Sequence, residues 1–200
     1  LLEAAGVEIP PTLPGRRLQP LLADQTIDWR QYIYGFTTGS YPFAFHLRWS
    51  IRDDRYKLLV SLLPATENLG ARMYLDPNNS ITVVSGFTPE EQASAAPHIQ
   101  ASLKRFQTPA RYELYDLQND PYEWTDLSDD AQLASVKRRL IEDLQAFRTE
   151  TRDPFLDPEN VAAFRESQLS VADMSYRKQK DFTWPYVESF HQWRQAQGSE

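Results

Sequence analysis

The sequence predicts an α+β fold: a small antiparallel sheet of about four strands packed on one long helix, with a helical C-terminal tail. Three observations predict it. Runs rich in β-branched and aromatic residues recur at 31–37, 45–52 and 56–62, the last two separated by the tight turn Asp53-Asp54. A fourth run, 111–117, alternates apolar and polar residues with the period of two that a strand requires. Further on, Leu133, Val136, Leu140, Leu144 and Phe147 fall three and four apart, as on one face of a helix.

The elements follow in order. Leu1, Leu2 and Ala5 with Gly6 read as the last turn of a helix, and Gly6 suits its C-cap. One turn does not nucleate alone, so a helix continuing upstream is expected. Pro10, Pro11 and Pro14 then force an extended connector. Strand 31–37 leads through the loop Thr38-Gly39-Ser40-Tyr41-Pro42 into 45–52, which forms a hairpin with 56–62 although its turn lacks glycine. Pro64, Pro77, Pro89, Pro97 and Pro109 divide 64–110 into short pieces, read as an insertion with a strand at 81–84 and a helix at about 89–106 interrupted near Pro97. Strand 111–117 ends in the turn Gln118-Asn119-Asp120-Pro121. Ser128 is expected to cap the long helix, with Asp129 and Asp130 in its first turn. Helices at 158–168 and 184–194 follow, and Phe182, Trp184, Tyr186, Phe190 and Trp193 give the tail apolar surface for docking.

Composition narrows the functional classes. The chain has 200 residues, 41% of them hydrophobic and 24% charged, which suits one domain with a real core. A net charge of −7 gives no attraction to nucleic acid or to an anionic membrane surface. The densest basic cluster, Lys137-Arg138-Arg139, lies on the predicted helix and reads as a solvated face. Cysteine is absent, which excludes disulfides, thiolate-bound zinc and a thiol nucleophile within these residues. No apolar run approaches the roughly 18 residues of a membrane span.

Few residues suggest chemistry on their own. His46 and Arg48 alternate with Leu47 and share one strand face; an exposed face or a structural bridge explains them more readily than ligand contact. Arg52, Arg55 and Lys57 flank the hairpin turn and read as surface charges. Asp116, Asn119, Asp120, Glu123 and Asp126 lack the central glycine and alternate spacing of a calcium loop, so Asx turns explain them better. His98 and His191 have no partner at helical spacing for a zinc site. No nucleophile elbow or phosphate-binding glycine loop is present.

Three segments, in order, resemble the carboxy-terminal part of the formylglycine-dependent sulfatases, whose parent fold is alkaline-phosphatase-like. The first is Leu1-Leu2-Glu3-Ala4-Ala5-Gly6 with Leu13-Pro14-Gly15-Arg16-Arg17-Leu18 and Pro20-Leu21-Leu22. The second is the hairpin His46-Leu47-Arg48-Trp49-Ser50-Ile51-Arg52-Asp53-Asp54-Arg55-Tyr56-Lys57-Leu58. The third is Glu113-Leu114-Tyr115-Asp116-Leu117-Gln118-Asn119-Asp120-Pro121. Pro109-Ala110-Arg111-Tyr112-Glu113-Leu114-Tyr115-Asp116 and Glu150-Thr151-Arg152-Asp153-Pro154-Phe155 lean toward the heparan N-sulfatase (sulfamidase) branch. The resemblance implies the end of a catalytic domain and a connector at 1–30, a C-terminal subdomain at 31–150 with its insertion at about 64–110, and a helical tail extension at 151–200.

What the resemblance implies about function is specific. The parent is a hydrolase of sulfate esters or N-sulfate groups on a sulfated carbohydrate such as a glycosaminoglycan. Its calcium and formylglycine belong to an N-terminal catalytic domain, the expected partner, so these residues alone carry no catalytic group and bind no metal. A periplasmic or secreted parent is favoured, with a cytoplasmic one also open. The region braces the catalytic domain and lines the leaving-group side of the pocket through Thr37, Thr38, Ser40, Tyr41, His46 and Arg48. Sulfamidase-like enzymes tend to carry His and an acidic residue in this loop, where this chain has Thr, Gly and Ser. Two other readings stay open: the same region of a related phosphonate or phosphodiester hydrolase, and a stand-alone carbohydrate-binding or structural module.

Overall fold

The structure is a computed structural model that describes residues 2–11, 13, 15–23, 25–38, 46–71, 75, 87–170, 181, 185–196 and 198. The expected strand at 81–84, Ser40 and Tyr41 of the loop, and Phe182 and Trp184 of the tail lie outside the described residues. The chain divides into two compact units, Leu1–Gln31 and Tyr32–Glu200.

The first unit is small and open. A 3-10 turn at Glu3–Ala5 ends at Gly6, whose φ of 68° is the left-handed conformation that glycine adopts without steric cost. After the prolines, one helical turn, α1 (Gln19–Leu22), carries Pro20 at its start, where no amide hydrogen is needed. Arg17 pairs with Glu3 at 2.6 Å and so closes the unit on itself. Its leucines are not covered: Leu18 is 58% exposed and Leu22 83%.

The second unit is built on a four-stranded antiparallel meander in sequential order: β1 (Ile33–Thr37), β2 (Arg48–Arg52), β3 (Tyr56–Ser61) and β4 (Tyr112–Asp116). The β2–β3 turn needs no glycine because the Asp53 side chain does the work of one. Its Oδ1 accepts from the amides of Arg55 and Tyr56 at 2.8 and 2.6 Å, an Asx turn. Register places Trp49 opposite Val60, Ile51 opposite Leu58, and Leu58 opposite Leu114, so one face of the sheet is uniformly apolar.

That face receives the long helix α4 (Ala134–Glu150), through Leu140 and Leu144 with Leu133, Val136 and Phe147 at the margins. The apolar positions are those the spacing predicts. The helix start is different. Asp130 caps a 3-10 turn at Ala131–Leu133 by accepting from the Gln132 amide, and α4 begins after it. Ser128 instead donates its amide to Asp126, and its carbonyl accepts from Lys137. The basic cluster on α4 also departs from a solvated face: Arg139 donates to Asp53 and to the Tyr32 hydroxyl, clamping helix to hairpin. Burying Ile51, Leu58, Leu114 and Leu140 completely stabilises the unit by about 1.5–3 kcal/mol each.

The insertion supplies α2 (Pro89–Ser94) and α3 (Pro97–Gln107). Thr88 and Glu91 form a reciprocal capping box, and Pro97 opens α3 where the predicted helix was interrupted. Tail helices α5 (Pro158–Ser170) and α6 (Pro185–Ala196) bring Phe164, Tyr186 and Phe190 around Phe155, with ring centroids 5.1–5.6 Å apart. The tail aromatics thus complete the core. Among the described residues no helix is long and apolar enough to cross a membrane.

Candidate functional site

The second face of the sheet carries polar residues. Thr37 at the end of β1 stands opposite Arg48 at the start of β2, which stands opposite Ser61 of β3. His46, two residues before Arg48, points to the same side by strand periodicity. Thr38 follows Thr37 directly. Register brings Thr37 and Arg48 to one corner of that face, and His46 lies near enough to feel the Arg48 charge.

Arg48 is not an isolated cation. Its Nη2 donates to Glu113 Oε1 on β4, two strands away. Glu113 is 3% exposed, and its Oε2 accepts from the Tyr115 hydroxyl at 2.5 Å and faces Arg105 Nε of α3 at 3.9 Å. One carboxylate thus sits between two guanidinium groups. Burial, and then Glu113 itself, raises the Tyr115 hydroxyl well above its ordinary range, so Tyr115 remains a donor at neutral pH. Arg105 also donates to the Trp124 carbonyl at 2.7 Å, which fixes it against the loop after β4. Arg48 Nε is buried and, among the described residues, has no hydrogen-bond partner.

His46 is held by Asn68, a residue of the insertion that is 1% exposed. Asn68 Nδ2 lies 3.1 Å from His46 Nδ1 and also donates to the Phe106 carbonyl at 3.1 Å, while Asn68 Oδ1 accepts from the Gly70 amide. The imidazole lies against the Phe106 ring at 5.9 Å between centroids. Burial, followed by the nearby Arg48 charge, lowers its pKa to about 4. The ring is neutral at neutral pH.

Asp116, Asp120, Glu123 and Asp126 have structural roles. Asp116 takes Arg55 in a two-pronged pair at 2.7 and 3.1 Å, so Arg55 is a cross-strand partner and more than a surface charge. Lys57 likewise binds Glu123 at 2.8 Å. Asp120 accepts from the Thr125 amide and Asp126 from the amides of Leu114 and Ser128. Among the described residues no group of three or more His, Asp or Glu side chains could hold a metal ion. Asn68, Arg105, Glu113 and Tyr115 were not singled out as site residues by the sequence; Glu113 falls on the polar side of an alternating strand, where the pattern carries no signal of burial.

No family model matches the chain. Over 149 residues, 72% of its length, it is 30% identical to an Ulvan-active sulfatase of Formosa agariphila. The chain is homologous to part of a sulfatase. It spans about a quarter (26%) of the length of that relative. Among solved structures, a 2-O GAG sulfatase is similar over 77% of this chain and 24% of its own, with 17% identity and a TM-score of 0.49. A protein solved in complex with its substrate D-glucosamine-2-N,6-O-disulfate is similar over 78% and 23%, with 22% identity and a TM-score of 0.46.

Proposed function

We propose that the chain is the C-terminal part of a sulfatase that hydrolyses sulfate esters or N-sulfate groups of a sulfated carbohydrate. In this reading it braces the catalytic domain and lines the leaving-group side of the pocket. The observation that carries it is the 30% identity over 149 residues to a sulfatase about four times as long as the matched region. The sulfamidase branch is the finer reading, supported by 109–116 and 150–155 and opposed by the Thr-Gly-Ser loop.

The bracing role is supported by the first unit. Leu2, Ile9, Leu13, Leu18 and Leu22 line a cavity of about 580 Å³ rimmed by Arg16 and Arg17, and each of these leucines and the isoleucine is exposed. Apolar surface of this density marks a place where another part of the protein packs. The catalytic domain is the occupant proposed here.

Calcium and formylglycine do not fit the residues present. The chain has no cysteine to supply the precursor, and among the described residues no group of three or more His, Asp or Glu side chains could hold a metal ion. Both groups are assigned to the N-terminal catalytic domain, and no step is routed through them. Thr37, Thr38, Ser40, Tyr41, His46 and Arg48 are the proposed substrate-side residues; hydroxyls there suit sugar hydroxyls, and the His46 ring suits a single hydrogen bond.

The test is to express the complete open reading frame and measure inorganic sulfate released from a panel of sulfated polysaccharides and N-sulfoglucosamine. Sulfate release that is lost when the upstream nucleophile is substituted supports the proposal. Hydrolysis of phosphodiesters or phosphonates with no sulfate release would assign the chain to the related hydrolases. Binding of carbohydrate without any hydrolysis would make it a binding module.

A further inference from the structure

The sulfatase reading leaves open what the His46–Arg48 corner recognises, and the hydrogen bonds around Asn68 decide it. Asn68 has no freedom in the orientation of its amide. Phe106 offers a carbonyl, which only the NH₂ can satisfy, and Gly70 offers an N–H, which only the oxygen can accept. The same NH₂ faces His46 Nδ1 at 3.1 Å, so Nδ1 must be an acceptor. A neutral ring with an unprotonated Nδ1 carries its hydrogen on Nε2. Among the described residues Nε2 has no hydrogen-bond partner, and His46 is only partly buried.

Arg48 completes the argument. Its charge is met by Glu113, and Glu113 is further balanced by Arg105 and the Tyr115 hydroxyl. Two guanidinium groups thus share one carboxylate, which gives the imidazole beside Arg48 no electrostatic reason to take up a proton.

We propose that Asn68 is a positioning residue that holds His46 in its Nε2–H tautomer, so that the imidazole gives one neutral donor to a hydroxyl oxygen of the leaving sugar. This rests on the sulfatase reading for its ligand, but the tautomer itself does not. Burial and the Arg48 charge support it by keeping the ring neutral at neutral pH.

The experiment uses the full-length protein labelled with ¹⁵N-histidine, with His46 assigned by its disappearance in His46→Gln. At pH 7 the two-bond ¹⁵N–¹H pattern is expected to be that of the Nε2–H tautomer. An Nδ1–H or imidazolium pattern would overturn the proposal whether or not the protein releases sulfate. Asn68→Asp removes the donor while keeping the acceptor for Gly70, and is expected to protonate Nδ1. Where sulfate release is measurable, that variant is expected to raise KM at least several-fold for substrates with an uncharged leaving sugar, with kcat changed less. Unchanged KM, with the tautomer altered, would overturn the ligand assignment and leave the sulfatase reading intact.

Discussion

Trp49 and Asp153 are 104 residues apart, yet the indole Nε1 donates to Asp153 Oδ2 at 2.9 Å inside the core. The same carboxylate accepts from Arg148 Nε at 2.6 Å and, through Oδ1, from the Phe155 amide. Arg148 in turn donates to the Phe155 carbonyl, and its guanidinium stands 5.9 Å from the Trp49 ring centroid. Sheet, long helix and tail are therefore joined by one carboxylate. The pair is almost wholly buried, with Arg148 and Asp153 side chains 7% and 4% exposed.

Removing one partner of such a pair strands the other. Asp153→Ala is expected to lower unfolding free energy by about 3–5 kcal/mol, because the Arg148 charge and the Trp49 N–H both lose their acceptor. The measurement is urea denaturation of the full-length protein followed by Trp fluorescence. Arg148→Met is expected to cost a similar amount, because it strands the Asp153 carboxylate in turn, and the double variant to cost clearly less than the sum of the two. Additive costs would show that the pair is not what stabilises this junction.

The Arg55–Asp116 pair gives a prediction in acid. Arg55, with help from Asn119 and the Gln118 amide, outweighs burial and lowers the Asp116 pKa to about 2. A carboxyl depressed on folding adds stability above its unfolded pKa of roughly 4 and loses it as pH falls through the folded value. Stability is expected to fall between about pH 4 and 2, and Asp116→Asn to flatten part of that fall. Arg55 is close to half exposed, so added salt should weaken the effect. Denaturation midpoints against pH, with and without salt, check it.

The legible parts of the fold were those set by local periodicity. The hairpin, β4 and the apolar face of α4 follow from side chains at periods of two and of three to four, which the backbone imposes directly. The start of α4 was less legible, because Ser128 and Asp130 are both good caps and only the Asp126 amide contacts decide between them. At the site, placing His46 and Arg48 on one face needed nothing but alternation. Their partners were hidden for a physical reason. Glu113 reads as the solvent side of an alternating strand, but α3 and its flanking segments cover that side, and a pair 65 residues apart with Arg48 keeps the charge inside. Asn68 sits in the proline-broken insertion, where no periodicity says which residues turn inward.

Phe155 tests whether the tail is part of the core. It is 5% exposed and packs against Phe36 of β1, Phe164 of α5 and Phe190 of α6. Phe155→Ala is expected to cost about 3–5 kcal/mol and to release the tail, since the cavity removes the ring that all three elements share. Limited proteolysis should then cleave after 156 well before the sheet is attacked. A variant that loses stability while its tail stays protected would show that α5 and α6 are held by other contacts.

His46 provides the last test, in a window separate from that of Asp116. Burial and the neighbouring Arg48 lower its pKa from 6.5 to about 4, so the folded protein resists taking up a proton that the unfolded chain accepts readily. Between those values the unfolded state binds more protons, and stability must therefore fall as pH falls. The contribution is complete above about pH 6.5 and is lost progressively down to about pH 4. Glutamine at this position does not titrate, so the difference in unfolding free energy between the native protein and His46→Gln is expected to shrink across that range. The carboxylates that titrate below it are common to both proteins and cancel. A difference that stays constant from pH 7 to 4 would mean that the imidazole is solvated, and that Asn68 and Phe106 do not enclose it as the structure has them.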